Sequence, residues 1–138
     1  MKKLLATVLC TLLLVACGAP QTTPTQTRES LLQTAEDLKR YEEERLLTAV
    51  TQMEINEQSG ILYEKWNALL EDTEQFAKAA LTKEELVQFE ADAAAWRAER
   101  EQAVETAGAE VKGGSAEHMA RCMESVRYTE ARVYALLE

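Results

Sequence analysis

Apolar residues recur every three or four positions along most of this chain, and the places where that rhythm starts and stops divide it into helices. Leu31, Ala35 and Leu38 open a first stripe behind Ser30, which can cap a helix, and Leu46, Ala49, Val50 and Met53 carry a second set at the same spacing. Between Glu54 and Gly60 only Ile55 is apolar, and then Leu62, Trp66, Leu69 and Phe76 restore the period. Ser59-Gly60 therefore predicts a bend in one long first helix rather than its end. After Leu81, the run Thr82-Lys83-Glu84-Glu85 has the spacing of a capping box, in which two side chains satisfy N–H groups left open at a helix start. From there Leu86, Phe89, Ala93, Trp96 and Ala103 lie along one face, and Gly108 with Gly113-Gly114 marks the exit. Ser115 predicts the cap of a last helix whose inward stripe is Met119, Cys122, Val126, Thr129, Val133 and Leu136. No segment alternates with the period of a strand. The expectation is an all-α fold, a small antiparallel bundle of about three helices, the first long and kinked near Gly60.

The first residues follow a different pattern. Met1-Lys2-Lys3 is a positive n-region, and Leu4 to Val15 is an apolar stretch too short to span a bilayer comfortably as a helix. Leu14-Val15-Ala16-Cys17 closes it in the manner of a bacterial lipoprotein signal. That resemblance implies cleavage after Ala16, diacylglycerol on the Cys17 sulfur, and an acyl group such as palmitate on the new amino terminus. Two or three acyl chains anchor stably where one does not, because each buried methylene contributes about 0.8 kcal/mol. The expected organisation is a signal peptide over 1–16, a lipidated flexible tether over 17–27 and one helical domain over 28–138. Thr, Gln, Pro20 and Pro24 make up much of the tether, and no proline follows it. The anchor would place the domain on the extracytoplasmic side of the cell membrane or outer membrane. Gly18, rather than Asp, after the lipidated cysteine resembles an outer-membrane sorting signal.

Charge narrows the partners. Without residues 1–16 the chain carries 13 basic and 24 acidic side chains, a net charge of −11. Nucleic acid is excluded as a partner by phosphate repulsion, whereas a cationic protein would be drawn in by faster encounter. The same acidity also serves simply to keep a surface soluble. Cys10 leaves with the signal and Cys17 goes to lipid, so Cys122 has no partner within the chain and its place on the inward stripe makes it a buried thiol.

Several of these landmarks resemble a family of small secreted or lipid-anchored helical proteins named after the mycobacterial lysozyme inhibitor LprI. The resemblance covers roughly Met53 to Glu138. Leu62, Trp66 and Leu69 look like its first helical element, Trp96, Arg100 and Glu101 like the second, and Gly113-Gly114-Ser115 with Cys122 like its loop and third helix. Tyr63 stands where the family tends to have Asn, and Trp66 where it tends to have Tyr. Val104 occupies the position expected of a first cysteine, so the disulfide typical of the family is absent. Glu130 stands near the place of an Arg, with Arg127 and Arg132 off register. The resemblance implies lysozyme inhibition.

The chain lacks the groupings catalysis requires, and the reading is a binding protein rather than an enzyme, with no cofactor and no metal assigned. His118, Met119, Cys122 and Met123 form a soft-ligand cluster, and His118 with Cys122 at i and i+4 leaves copper(I) binding as the least favoured function. Glu42-Glu43-Glu44 and Glu99 with Glu101 read as solvated faces, since neighbours on a helix point in different directions. Trp66 and Trp96 read as core. Candidate contact residues are the loop Gly113, Gly114 and Ser115, and Tyr128 and Tyr134, which lie off the last helix's central stripe. The leading function is an envelope-anchored acidic binding lipoprotein that inhibits lysozyme; the alternative is a structural or accessory envelope lipoprotein whose long first helix pairs with another helical protein. The sequence leaves the oligomeric state open.

Overall fold

The computed structural model describes residues 26–138. The expected signal peptide, the lipidation site Cys17 and all but the last two residues of the tether lie outside the described residues. Four helices follow one another: α1 (Arg28–Tyr41), α2 (Gln52–Lys78), α3 (Lys83–Glu110) and α4 (Glu117–Leu137), with a π-helical turn, Glu42–Leu46, continuing α1. No strand occurs among the described residues. The all-α expectation holds, with four helices in place of about three.

The extra helix comes from a break that the apolar period concealed. Within Glu42–Leu46 the Leu47 N–H bonds the Glu42 carbonyl at 3.1 Å, a wider i to i+5 closure that ends the first helix. The chain then turns, and Thr51 starts α2 with a capping box: its Oγ1 accepts from the Glu54 N–H at 3.2 Å, and the Glu54 carboxylate accepts from the Thr51 N–H at 2.9 Å. Gly60 lies inside the continuous α2, where His118 packs close to it, so the expected kink is replaced by a complete turn nine residues earlier. The inward stripe expected of Leu46, Ala49, Val50 and Met53 is likewise corrected. Leu46 is buried, while Val50 and Met53 point to solvent.

Capping differs from expectation at two more places. Thr27, not Ser30, is the cap of α1, and Ser30 stands three residues on, where its hydroxyl returns a bond to the Thr27 N–H at 3.1 Å. At α4 the cap position is Ala116 rather than Ser115, and it has no side-chain hydrogen bond. Glu117 closes the turn instead by accepting from the Gly113 N–H at 2.8 Å, and Gly113 takes the positive φ of 74° that favours glycine. The Thr82 capping box forms as expected, with Glu85 accepting from the Thr82 N–H at 2.8 Å.

Helix α4 is the centre of the bundle, in contact with α1, α2 and α3. It lies against α2, with His118 beside Gly60 and Asn56 bonding the Ser115 carbonyl at one end, so these two helices run parallel. Helix α1 runs antiparallel to both, joined by Tyr41 to Gln58 at 2.8 Å and by Tyr134 to Glu36 at 3.0 Å. The core is shared by these three helices and the π-helical turn: Leu31, Ala35, Leu38, Leu46, Leu62, Trp66, Leu69, Val126, Val133 and Leu137 pack into one cluster. Fully burying an aliphatic or aromatic side chain contributes about 1.5–3 kcal/mol, and Trp66 is the largest that is fully enclosed.

Helix α3 is held differently. Only Ala93 and Gly108 on it are buried, and of its expected apolar face Leu86 is exposed while Phe89, Trp96 and Ala103 are half-buried. Arginines fasten it instead. Arg97 pairs with the buried Glu74 at 2.7 Å, and Arg100 donates to Asn67 at 2.9 Å and to Thr129 at 3.1 Å while its guanidinium lies 4.9 Å from the Trp96 ring centre. From α4, Arg132 sits 5.7 Å from the ring centres of both Phe89 and Trp96.

Candidate functional site

The bundle separates the candidate contact residues into three places. Gly113, Gly114 and Ser115 form the α3–α4 turn at one end, exposed and tied to α2 through the Asn56 side chain. Tyr128 lies farther along α4 on the side facing α3. It borders a groove of about 520 Å³ between α3 and α4, whose walls carry Glu99, Glu110 and Glu124 beside Ala103 and Ala107. Tyr134 lies on the opposite side of α4, against α1, where its hydroxyl donates to Glu36 and Lys39 approaches its ring. Burial and the Glu36 carboxylate raise its phenol above the ordinary range. Both tyrosines are half-buried, and they do not share a surface with each other or with the glycine turn.

The acid groove is built by helix geometry. Glu99, Gln102, Thr106 and Glu110 recur at three and four residues on α3 and present one polar row, while Ala103 and Ala107 let α4 come close beneath it. Across the groove, Glu124 is held by Arg127 at 2.6 Å, and that pairing depresses its carboxyl below the ordinary range. Arg127 in turn covers the Tyr128 ring at 4.7 Å. The groove is open and lined by carboxylates and a phenol, which suits contact with cationic side chains and offers no nucleophile paired with a base.

A smaller cavity of about 240 Å³ lies among α2, α3 and α4, lined by Tyr63, Arg100, Val104, Arg121, Cys122 and Ser125. Val104 and Cys122 thus face one space, the two positions at which the family resemblance places a cysteine pair. Cys122 is buried, and burial pushes its thiol above the ordinary range. His118 Nε2 is 3.6 Å from its sulfur, and among the described residues no group of three or more His, Cys, Asp or Glu is placed to hold a metal ion.

The exposed corner around Leu47, Val50 and Met53 escaped the sequence reading, which put Val50 and Met53 on an inward stripe. The sign that would have found it is the Thr51-x-x-Glu54 capping box, which starts a new helix and resets the apolar phase. No helix among the described residues is long and apolar enough to cross a membrane.

Residues 43–136 match the family model described as Lysozyme inhibitor LprI. The match covers all of α2, α3 and nearly all of α4, and the chain belongs to this family. No curated protein matches the chain, and no solved structure does.

Proposed function

We propose that this chain is a lipid-anchored envelope protein that inhibits lysozyme by binding it, with no catalytic step of its own. The observation that carries the reading is the family match over residues 43–136, which spans the greater part of the bundle. Acidity supports it, since the 24 acidic side chains against 13 basic ones that remain without residues 1–16 would draw a cationic lysozyme toward the envelope. The fold is compatible with binding, offering an open acidic groove and a projecting apolar corner on a rigid helical frame. Cys17 supplies the anchor in this reading, with the domain on the extracytoplasmic face of the cell membrane or outer membrane.

Turnover of peptidoglycan by a cationic lysozyme, with and without the fragment from Gly18 to Glu138 and at low and high salt, tests the proposal. Inhibition that weakens with salt is expected, because exposed charges are screened within about 8 Å at physiological ionic strength. Undiminished turnover at both salt concentrations would refute it. For the anchor, the full chain carrying Cys17→Ser is expected to leave the membrane fraction and to lose palmitate labelling.

A further inference from the structure

Three large apolar side chains stand in solvent at a single corner of the bundle. Leu47 is 73 % exposed, Val50 89 % and Met53 78 %; Leu47 and Val50 fall in the turn that joins the π-helical segment to α2, and Met53 in the first turn of α2. The fold does not require them there. Leu46 alone plugs that turn into the core, and Thr51 with Glu54 supplies the hydrogen bonds that shape it. Val50 contributes only its backbone N–H, to Glu54 at 3.1 Å. Polar residues at the three positions would close the same turn, so the apolar surface is exposed at a cost in solvation with no return inside the chain.

Charge around the corner is one-sided. From residue 42 to residue 57 there are five carboxylates and a single cation, Arg45. A second copy of this chain would meet like charge there, and an anionic lipid surface would repel it. A cationic protein would not. The corner also points away from the chain's point of entry: Gln26 bonds Asp72 near the other end of α2, and the twenty residues of helix from there to Gln52 span about 30 Å. Whatever precedes Gln26, the corner stands at the far end of the bundle.

We infer that the corner formed by this turn and the start of α2, carrying Leu47, Val50 and Met53, is the surface that docks the cationic partner, its apolar side chains entering a cleft of that protein while the surrounding carboxylates steer it in. This rests on the reading of the chain as a lysozyme inhibitor and names the part that does the inhibiting. A projecting turn is convex and fits a concave site, and a few buried apolar anchors inside a polar rim carry most of the affinity of such contacts. The corner lies within the residues that match the family.

The test is calorimetric titration of a cationic lysozyme with the fragment from Gly18 to Glu138 and with two variants of it. In the first, Leu47→Gln, Val50→Ser and Met53→Gln are combined; these side chains are solvent-exposed, so helical content and unfolding temperature should match the parent, and affinity should fall by about tenfold or more. In the second, Val87→Ser removes a comparably exposed apolar residue from α3, and affinity should stay within about twofold. A corner variant that binds as tightly as the parent overturns the inference and leaves lysozyme binding standing. A parent fragment that does not bind lysozyme overturns both.

Discussion

The guanidinium of Arg121 occupies the space that a side chain on Gly108 would need. An added Cβ at position 108 would press on Nε and Cζ of Arg121, which crosses from α4 to pair with Glu105 at 2.5 Å and also holds Glu117 at 3.3 Å. Gly108→Ala pits two effects against each other. Alanine favours helix over glycine by up to about 1 kcal/mol, less in a last turn such as this one, while the displaced arginine loses exposed ion pairs that contribute little. The outcome should therefore depend on the arginine: the substitution stabilises by roughly 0.5 kcal/mol in an Arg121→Ala background and by less in the parent. Urea unfolding of the four proteins of the cycle measures the difference, and equal effects in both backgrounds would show that the two residues do not compete.

Arg100 should matter more to stability than its half-buried position suggests. It bonds Asn67 on α2 and Thr129 on α4 and stacks on Trp96 of its own helix, so one side chain links three helices where α3 has few apolar contacts. Arg100→Ala is expected to cost about 1.5–3 kcal/mol, the range for hydrogen bonds to a charged group. Arg100→Lys should recover less than half of that, since lysine has no planar guanidinium to lie on Trp96 while its terminal nitrogen holds the position from which Nη1 donates to both acceptors. Chemical denaturation separates the two, and full rescue by lysine would reduce the role of Arg100 to its charge.

Cys122 should react slowly in the folded protein. It is 7 % exposed and its pKa is raised by burial, so little thiolate is present at pH 8 and little of it is reachable. Iodoacetamide labelling followed by mass spectrometry should be at least about tenfold slower in buffer than in denaturant. Val104→Cys should give this thiol a partner across the small cavity that both residues line. On mild oxidation the variant is expected to lose two hydrogens in mass and to gain up to about 3 kcal/mol, the scale for closing a loop of this length.

Acid should loosen the starts of α2 and α3 before it unfolds the core. The Glu54 and Glu85 carboxylates accept backbone N–H bonds at their capping boxes, and those bonds lower both pKa values from the ordinary 4.5. A group depressed in the folded state stabilises it fully above its unfolded pKa and loses that contribution as pH falls through the folded value. Urea titrations between pH 6 and pH 3 should show stability falling below about pH 4.5, and Glu54→Gln with Glu85→Gln should flatten the fall. An unchanged slope in the double variant would mean that other carboxylates dominate.

Much of this architecture is legible in the sequence, and the misreadings share one physical cause. The Thr82 box, the inward phase of Cys122, Val126, Thr129 and Val133, and the burial of Trp66 all follow from spacing, because each lies inside a long element with a steady period. The break after Leu46 does not show as a gap in hydrophobicity, since Leu47, Val50 and Met53 continue the rhythm by composition while the backbone turns beneath them. Only the hydrogen-bonding pair Thr51 and Glu54 marks it. Gly60 misleads in the opposite sense: it looks like a breaker, and its small size serves the approach of His118 to α2. The candidate contacts were individually visible but their separation was not, because whether Tyr128 and Tyr134 share a surface depends on which helices flank α4, and periodicity within one helix is silent on that.

The position of α4 has a consequence for how the chain comes into being. Helices α1, α2 and α3 each begin with their own capping box, whereas α4 begins at Ala116 without one, and yet α4 touches all the others and supplies Val126, Val133 and Leu137 to the core. It is also the last of the four helices to be made. Until its turns leave the ribosome, Leu62, Trp66 and Leu69 have α1 to pack against but lack the face that Val126, Val133 and Leu137 supply, so the nascent polypeptide has local helical preferences and an unfinished interior. The interior of such a chain is closed by the last of its four helices, so its resistance to unfolding is completed late rather than built up evenly along the sequence.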